Sequence, residues 1–157
     1  FAIKSYYGTL QKTPQLDGTV WVTSQYPEYK EVIDYLSTVA TKDTVILEAQ
    51  GDSYTDFNLI SAYTGVPTVA GWWVHQWLWR GSSDVIGKLA PDIQEIYQGE
   101  DRQRKLELTA KFNIRYIVVG PHERSKYIQL NEEYIKQIAT PVFTSSNSVA
   151  TVYKIGE

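Results

Sequence analysis

At 157 residues the chain has room for one domain with a real hydrophobic core, and its 43% hydrophobic and 21% charged residues are those of an ordinary folded chain. With 15 basic against 18 acidic side chains the net charge is -3, which leaves no electrostatic footprint for nucleic acid or anionic lipid, and no apolar run approaches the roughly 18 residues of a membrane span. Zero cysteines exclude disulfides, thiolate metal sites and cysteine nucleophiles together, while leaving the redox compartment open.

In chain order, residues 1–19, "FAIKSYYGTLQKTPQLDGT", are polar and turn-rich and are expected to form a connecting arm, followed by a single α/β domain over 20–157. The chain starts at Phe1 without a single methionine, so it is expected to be a piece of a longer polypeptide. "PEYKEVIDYLSTV" opens with Pro27 at a helix start, carries Glu28 in the first turn and spaces Tyr29, Val32, Ile33 and Leu36 along one helical face. "TVILEA", residues 44–49, is a continuous apolar run of strand length, of the kind buried on both faces in a parallel sheet. A helix around "DFNLISAYTG", ended by Gly65 and capped by Thr55 or Asp56, and a second strand "VPTVAG" complete a βαβ unit. After the aromatic segment 72–79 come the helical stretches "DIQEIYQ" and "DRQRKLELTAKFN", and a third strand "IRYIVVG" at 114–120. "RSKYIQLNEEYIKQIA" reads as helix, and "TPVFTSSNSVATVYKI" as two strands around a Ser-Ser-Asn-Ser turn. The expected fold is an α/β three-layer Rossmann-like sandwich, with a mostly parallel sheet and a C-terminal antiparallel hairpin.

In open α/β sheets ligands gather at the carboxyl ends of the strands, where loops and helix N-termini converge. The three predicted strands deliver "EAQGDSYTD", "GWWVHQWLWRG" and "GPHERSKY" to what should be one edge, provided they run parallel. Both histidines, four of the five tryptophans, and Asp52, Arg80 and Arg124 fall in those stretches. "GDSYT" matches the way GDSL-type serine esterases present a nucleophile, here Ser53. Such an enzyme needs a general base, usually in Asp-x-x-His, and oxyanion donors from Gly and Asn blocks. Neither appears: Val119 stands three residues before His122, and Trp72 three before His75. Asp52, Ser53 and Thr55 are therefore read as turn and capping residues, with a small hydrolase using Ser53 and His75 kept as an alternative.

"GWWVHQWLWRG" offers rings in place of a nucleophile, and tryptophan faces stack on sugars or apolar tails. Trp73 and Trp77 stand open between core and surface, whereas Trp72, Trp79 and Arg80 are expected at the surface, with Arg80 stacking or pairing with an acid. His75 stands equally open between a structural and a ligand-facing role. Glu48, Asp52 and Glu123 are the acids from which a glycosidase pair would be drawn, with solvated surface carboxylates the competing outcome. Backbone amides at Pro121 together with Arg124 suit a phosphate, and equally a plain helix start. Two histidines with scattered carboxylates make a poor zinc signature, so neither metal nor cofactor is expected.

The ordered set "LEAQGDSYTDFNLISAYTGVPTVAGWWVHQWLWRG", "DIQEIY" and "RYIVVGPHERSKY", with "LDGTVWV" and "PEYKEVIDYL" before it, resembles the C-terminal soluble region of the YYY-type polytopic membrane proteins of bacteria and archaea. Gly51, Ser53, Tyr54, Ser61, Thr64, Gly65, Pro67, Gly71, Trp72, His75, Trp79, Arg80, Gly81, Glu123 and Arg124 stand in the order of that family's recurrent pattern, while Gln76 replaces a frequent acid. The resemblance implies a domain on the extracytoplasmic face, partnered by membrane helices of the same polypeptide. It also implies a layout similar to GT-C glycosyltransferases, which use polyprenyl-phosphate sugars and place their catalytic aspartates in the membrane part. "GWWVHQW" is faintly similar to the Trp-Trp-Asp motif of oligosaccharyltransferases but lacks the aspartate, so acceptor-peptide recognition is not carried over. The expectation is a non-catalytic domain with a glycan- or lipid-phosphate-facing edge built from Asp52, Ser53, Tyr54, Trp72, His75, Trp79, Arg80, Glu123 and Arg124. The alternatives are the Ser53 hydrolase and a purely structural module docking on the membrane part.

Overall fold

The computed structural model describes residues 17–156, so all of the expected arm except its last three residues lies outside the described part. The elements are α1 (Thr19–Gln25), α2 (Pro27–Val39), β1 (Val45–Leu47), α3 (Leu59–Thr64), α4 (Trp73–Arg80), α5 (Asp84–Gln98), α6 (Arg102–Lys111), β2 (Ile114–Val119), α7 (Pro121–Lys126), α8 (Glu132–Lys136), β3 (Ala139–Thr144) and β4 (Thr151–Ile155). None of the described helices is long and apolar enough to cross a membrane.

The four strands form one mixed sheet in the order β1-β2-β4-β3. Only β1 and β2 are parallel, and β4 lies antiparallel to both β2 and β3. The expectation of a mostly parallel sheet is thus corrected: the C-terminal hairpin is present, but it inserts β4 directly beside β2. The second expected strand, "VPTVAG", shrinks to a single parallel bridge between Ile46 and Thr68, with the Ile46 N–H donating to Pro67 O at 2.9 Å. What stands is an α/β fold around a four-stranded mixed sheet.

Period-two alternation explains why the strands look apolar throughout. Leu47, Ile117, Val119 and Tyr153 point into one cluster with Ile86, Ile93, Ile96, Tyr97, Leu108 and Ile135, while Ile46, Tyr116, Val118 and Val152 point into another with Val22, Tyr29, Val32, Leu36 and Ile60. Both faces of the sheet are therefore buried.

Helix boundaries follow local chemistry where a cap is strong. α2 matches its predicted span, and Asp101 caps α6 by accepting from Gln103 N and Arg104 N at 2.9 and 3.1 Å. α5 begins eight residues before the expected "DIQEIYQ" and runs through Pro91, because burial of Ile86, Ile93, Ile96 and Tyr97 along one face outweighs the proline penalty. The long helix expected over residues 124–139 is broken after Lys126, where Tyr127 turns inward to stack on Tyr97 at 4.5 Å and Asn131 starts α8 afresh. The residue capping α3 is neither Thr55 nor Asp56. Glu48, at the end of β1, accepts from Ile60 N and Ser61 N at 3.0 and 3.1 Å, while Thr55 closes a turn onto Asp52 O and Asp56 accepts from the Tyr26 hydroxyl.

Candidate functional site

The parallel pair β1 and β2 sends residues 48–58 and 120–126 off the same edge, and α4 packs against the first of these. Trp72, His75, Gln76, Trp79 and Arg80 lie at spacings of three, four, seven and eight, which is one helical face. The N-terminus of α4 has no cap of its own and is held by the loop after β1. Trp73 N–H donates to Gly51 O at 3.0 Å, His75 N–H donates to Ser53 Oγ at 3.2 Å, and the Trp72 indole donates to Phe57 O at 3.0 Å. Gly51 cannot carry a side chain here, because a Cβ would sit 2.4 Å from Phe57. The "GDS" stretch therefore docks a helix. Ser53→Ala is expected to lower stability by roughly 1 kcal/mol in urea unfolding, and an unchanged midpoint would mean that this cap is not made in solution.

Tyr54 adopts a left-handed conformation at φ 63, uncommon for an aromatic residue, and this turns its ring outward. Tyr54 (86% exposed), Trp72, His75 and Trp79 (83% exposed) form a surface ladder. Tyr54 lies 5.1 Å from His75 edge-on, and His75 stacks on Trp72 at 5.2 Å and on Trp79 at 5.9 Å. Beside the ladder runs a groove of about 560 Å³, bordered by Trp72, His75 and Trp79 together with Asn58, Ser61, Gln76 and Arg80. Arg80 forms no ion pair with any described residue.

Six of the nine sequence-predicted site residues, Ser53, Tyr54, Trp72, His75, Trp79 and Arg80, thus meet around α4. Asp52 instead borders a second depression of about 470 Å³ with Lys126 and Trp73. Arg124 is turned toward the hairpin, donating to Val149 O and pairing with Glu132 at 2.6 Å. Glu123 is buried, 2% exposed, beneath the edge.

A buried polar knot lies where β1 and β2 end. Glu123 accepts from Ala49 N at 2.7 Å, from Gly120 N at 2.8 Å and from the Tyr29 hydroxyl at 2.8 Å; the same hydroxyl accepts from His122 N. Gly120 leaves the space that the Tyr29 ring occupies, since a Cβ there would lie 2.8 Å from it. Burial raises Glu48 to about 7 despite the Ser61 side chain and its two backbone donors, with the Glu123 carboxylate adding to the shift. His122 sits among Tyr26, Tyr29 and Phe57, and burial lowers its pKa against the opposing pull of Glu123. Every oxygen of this pair is engaged with the backbone or Tyr29, so the knot holds strand ends and helix starts together.

Asn58 and Gln76 border the groove without having been singled out as ligand-facing from the sequence. The helical spacing of Gln76 relative to Trp72 and Trp79 was the available signal, whereas Asn58 has none, because a chain turn with φ 63 brings it there.

No protein-family model matches the sequence, and no curated protein matches it. Among solved structures the chain is similar to the C-terminal globular domain of an oligosaccharyltransferase from Archaeoglobus fulgidus, with a TM-score of 0.51 and 10% identity, over 82% of this chain and 97% of that one. The property shared at that identity is the fold, and it is of the general kind that the sequence resemblance implies.

Proposed function

We propose that the chain is the extracytoplasmic C-terminal domain of a YYY-type polytopic membrane protein laid out like a GT-C glycosyltransferase, with α4 as its glycan- or lipid-phosphate-facing edge. The observation that carries this is the ladder of Tyr54, Trp72, His75 and Trp79 beside a groove ending at Arg80. Stacked, solvent-facing rings are unfavourable to leave uncovered and match the flat faces of sugars. The fold likeness to a domain of an oligosaccharyltransferase supports the wider setting. In this reading the domain supplies binding surface, the chemistry belongs to the membrane part, and Trp77 and Leu78, 45% and 66% exposed on α4, turn toward membrane helices of the same polypeptide.

The test is intrinsic tryptophan fluorescence and amide NMR, with a small saccharide panel and citronellyl phosphate as the polyprenyl-phosphate analogue. Saturable shifts confined to residues 53–54 and 72–80 are expected. Trp79→Ala should weaken them by roughly three- to tenfold, the worth of one lost stacking contact. Shifts elsewhere, or none, would sink the proposal.

A further inference from the structure

We infer that the groove beside the ladder takes a neutral sugar ring bearing hydroxyl or N-acetyl groups, and that it does not take the phosphate of a lipid carrier. This rests on the reading of α4 as a ligand-facing edge and names the class of ligand. The deciding groups are two acceptors. Asn58 is 8% exposed; its amide nitrogen donates to Ala70 O at 3.0 Å, which leaves Oδ1 buried with no hydrogen-bond partner. Gln76 Oε1 is likewise buried and unpartnered. Both residues border the groove, and Gly71 makes room for the Gln76 amide, since a Cβ there would approach its nitrogen to 3.1 Å.

A buried carbonyl oxygen without a donor is costly, and an N–H or O–H donor from a ligand, or from water where none is bound, relieves it. The Ser61 hydroxyl does not supply one, because it is directed to Asn58 O at 3.2 Å. The dianion of a phosphate monoester brings only acceptor oxygens and would face two carbonyl lone pairs. Among the described residues that border the groove, Arg80 is the cationic side chain favouring an anion. It is exposed at the end of α4, where water and salt screen its charge, whereas the two acceptors act where the dielectric is low. A sugar ring satisfies both demands, with hydroxyl or amide donors at its rim for Asn58 and Gln76 and a C–H face for Trp72, His75 and Trp79.

The experiment titrates the 157-residue chain with N,N′-diacetylchitobiose, cellobiose, inorganic phosphate and citronellyl phosphate, reading the indole N–H signals of Trp72 and Trp79 by NMR. Asn58 stays unmutated because its φ of 63 suits asparagine and few other residues. The variant is Gln76→Leu, which keeps bulk and removes the acceptor. The expected result is saturable binding of at least one neutral disaccharide, roughly tenfold weaker in Gln76→Leu, with neither phosphate probe moving the indoles. Phosphate probes shifting the ladder while both disaccharides fail would overturn the inference and leave the ligand-facing edge standing. Disaccharide binding unaffected by Gln76→Leu would overturn it too, whereas silence from all four probes would remove the edge as well.

Discussion

Glu123→Ala is expected to destabilise the protein by about 3 kcal/mol, on the scale of roughly 1 kcal/mol or more for each of three buried donors left without an acceptor. The carboxylate is the common acceptor for a strand-end amide (Ala49), a helix-start amide (Gly120) and the buried hydroxyl of Tyr29. Truncation leaves three donors without a partner in a site too buried for water to replace it. It also frees Tyr29, whose hydroxyl then holds only His122 N, and so loosens α2 against the start of α7. Glu123→Gln keeps the shape but turns one acceptor into a donor facing donors, so an intermediate loss is expected. Urea unfolding with an unchanged slope checks both. A loss under about 1 kcal/mol for the alanine variant would show that the three donors find other partners.

Glu48 is expected to make stability fall as pH rises. Its folded pKa, about 7, lies above the ordinary 4.5 because burial, helped by the nearby Glu123 carboxylate, disfavours the charge more strongly than the Ser61 side chain and the Ser61 and Ile60 amides favour it. Between these values the folded state binds more protons than the unfolded one, so the contribution is fully present below pH 4.5, is lost progressively up to about pH 7, and is constant above that. The whole change is about 3 kcal/mol. Glu48→Gln removes it. The difference in unfolding free energy between wild type and variant, measured from pH 4.5 to 8, should therefore drift in the variant's favour as pH rises. A flat difference would place the Glu48 titration in its ordinary range.

Much of this architecture was legible. Helix α2, the stop at Gly65 and the C-terminal hairpin are each written in short-range chemistry: a proline at a first turn, a glycine that accepts φ 71, and turn residues between two β-rich runs. The clustering of Trp72, His75, Trp79 and Arg80 was visible as an aromatic segment, whereas the helix that aligns them on one face came from the structure. The expected second strand was not decidable in this way, because "VPTVAG" has strand composition whether or not a neighbour is available to pair with it, and here β1 offers it one bridge.

The residues alone determined the α/β class, the absence of thiol chemistry, and the concentration of rings and histidines after the strand-like runs, since these depend on composition and on periods within one element. The tertiary structure alone decided that the sheet is mixed, that Glu123 faces inward, that Arg124 belongs to the hairpin, and that Ser53 serves the backbone of α4. Each of those outcomes turns on a partner distant in the chain, such as Ala49 for Glu123, Glu132 or Val149 for Arg124, and His75 for Ser53. A local pattern fixes which groups a residue carries; only packing fixes which group they meet.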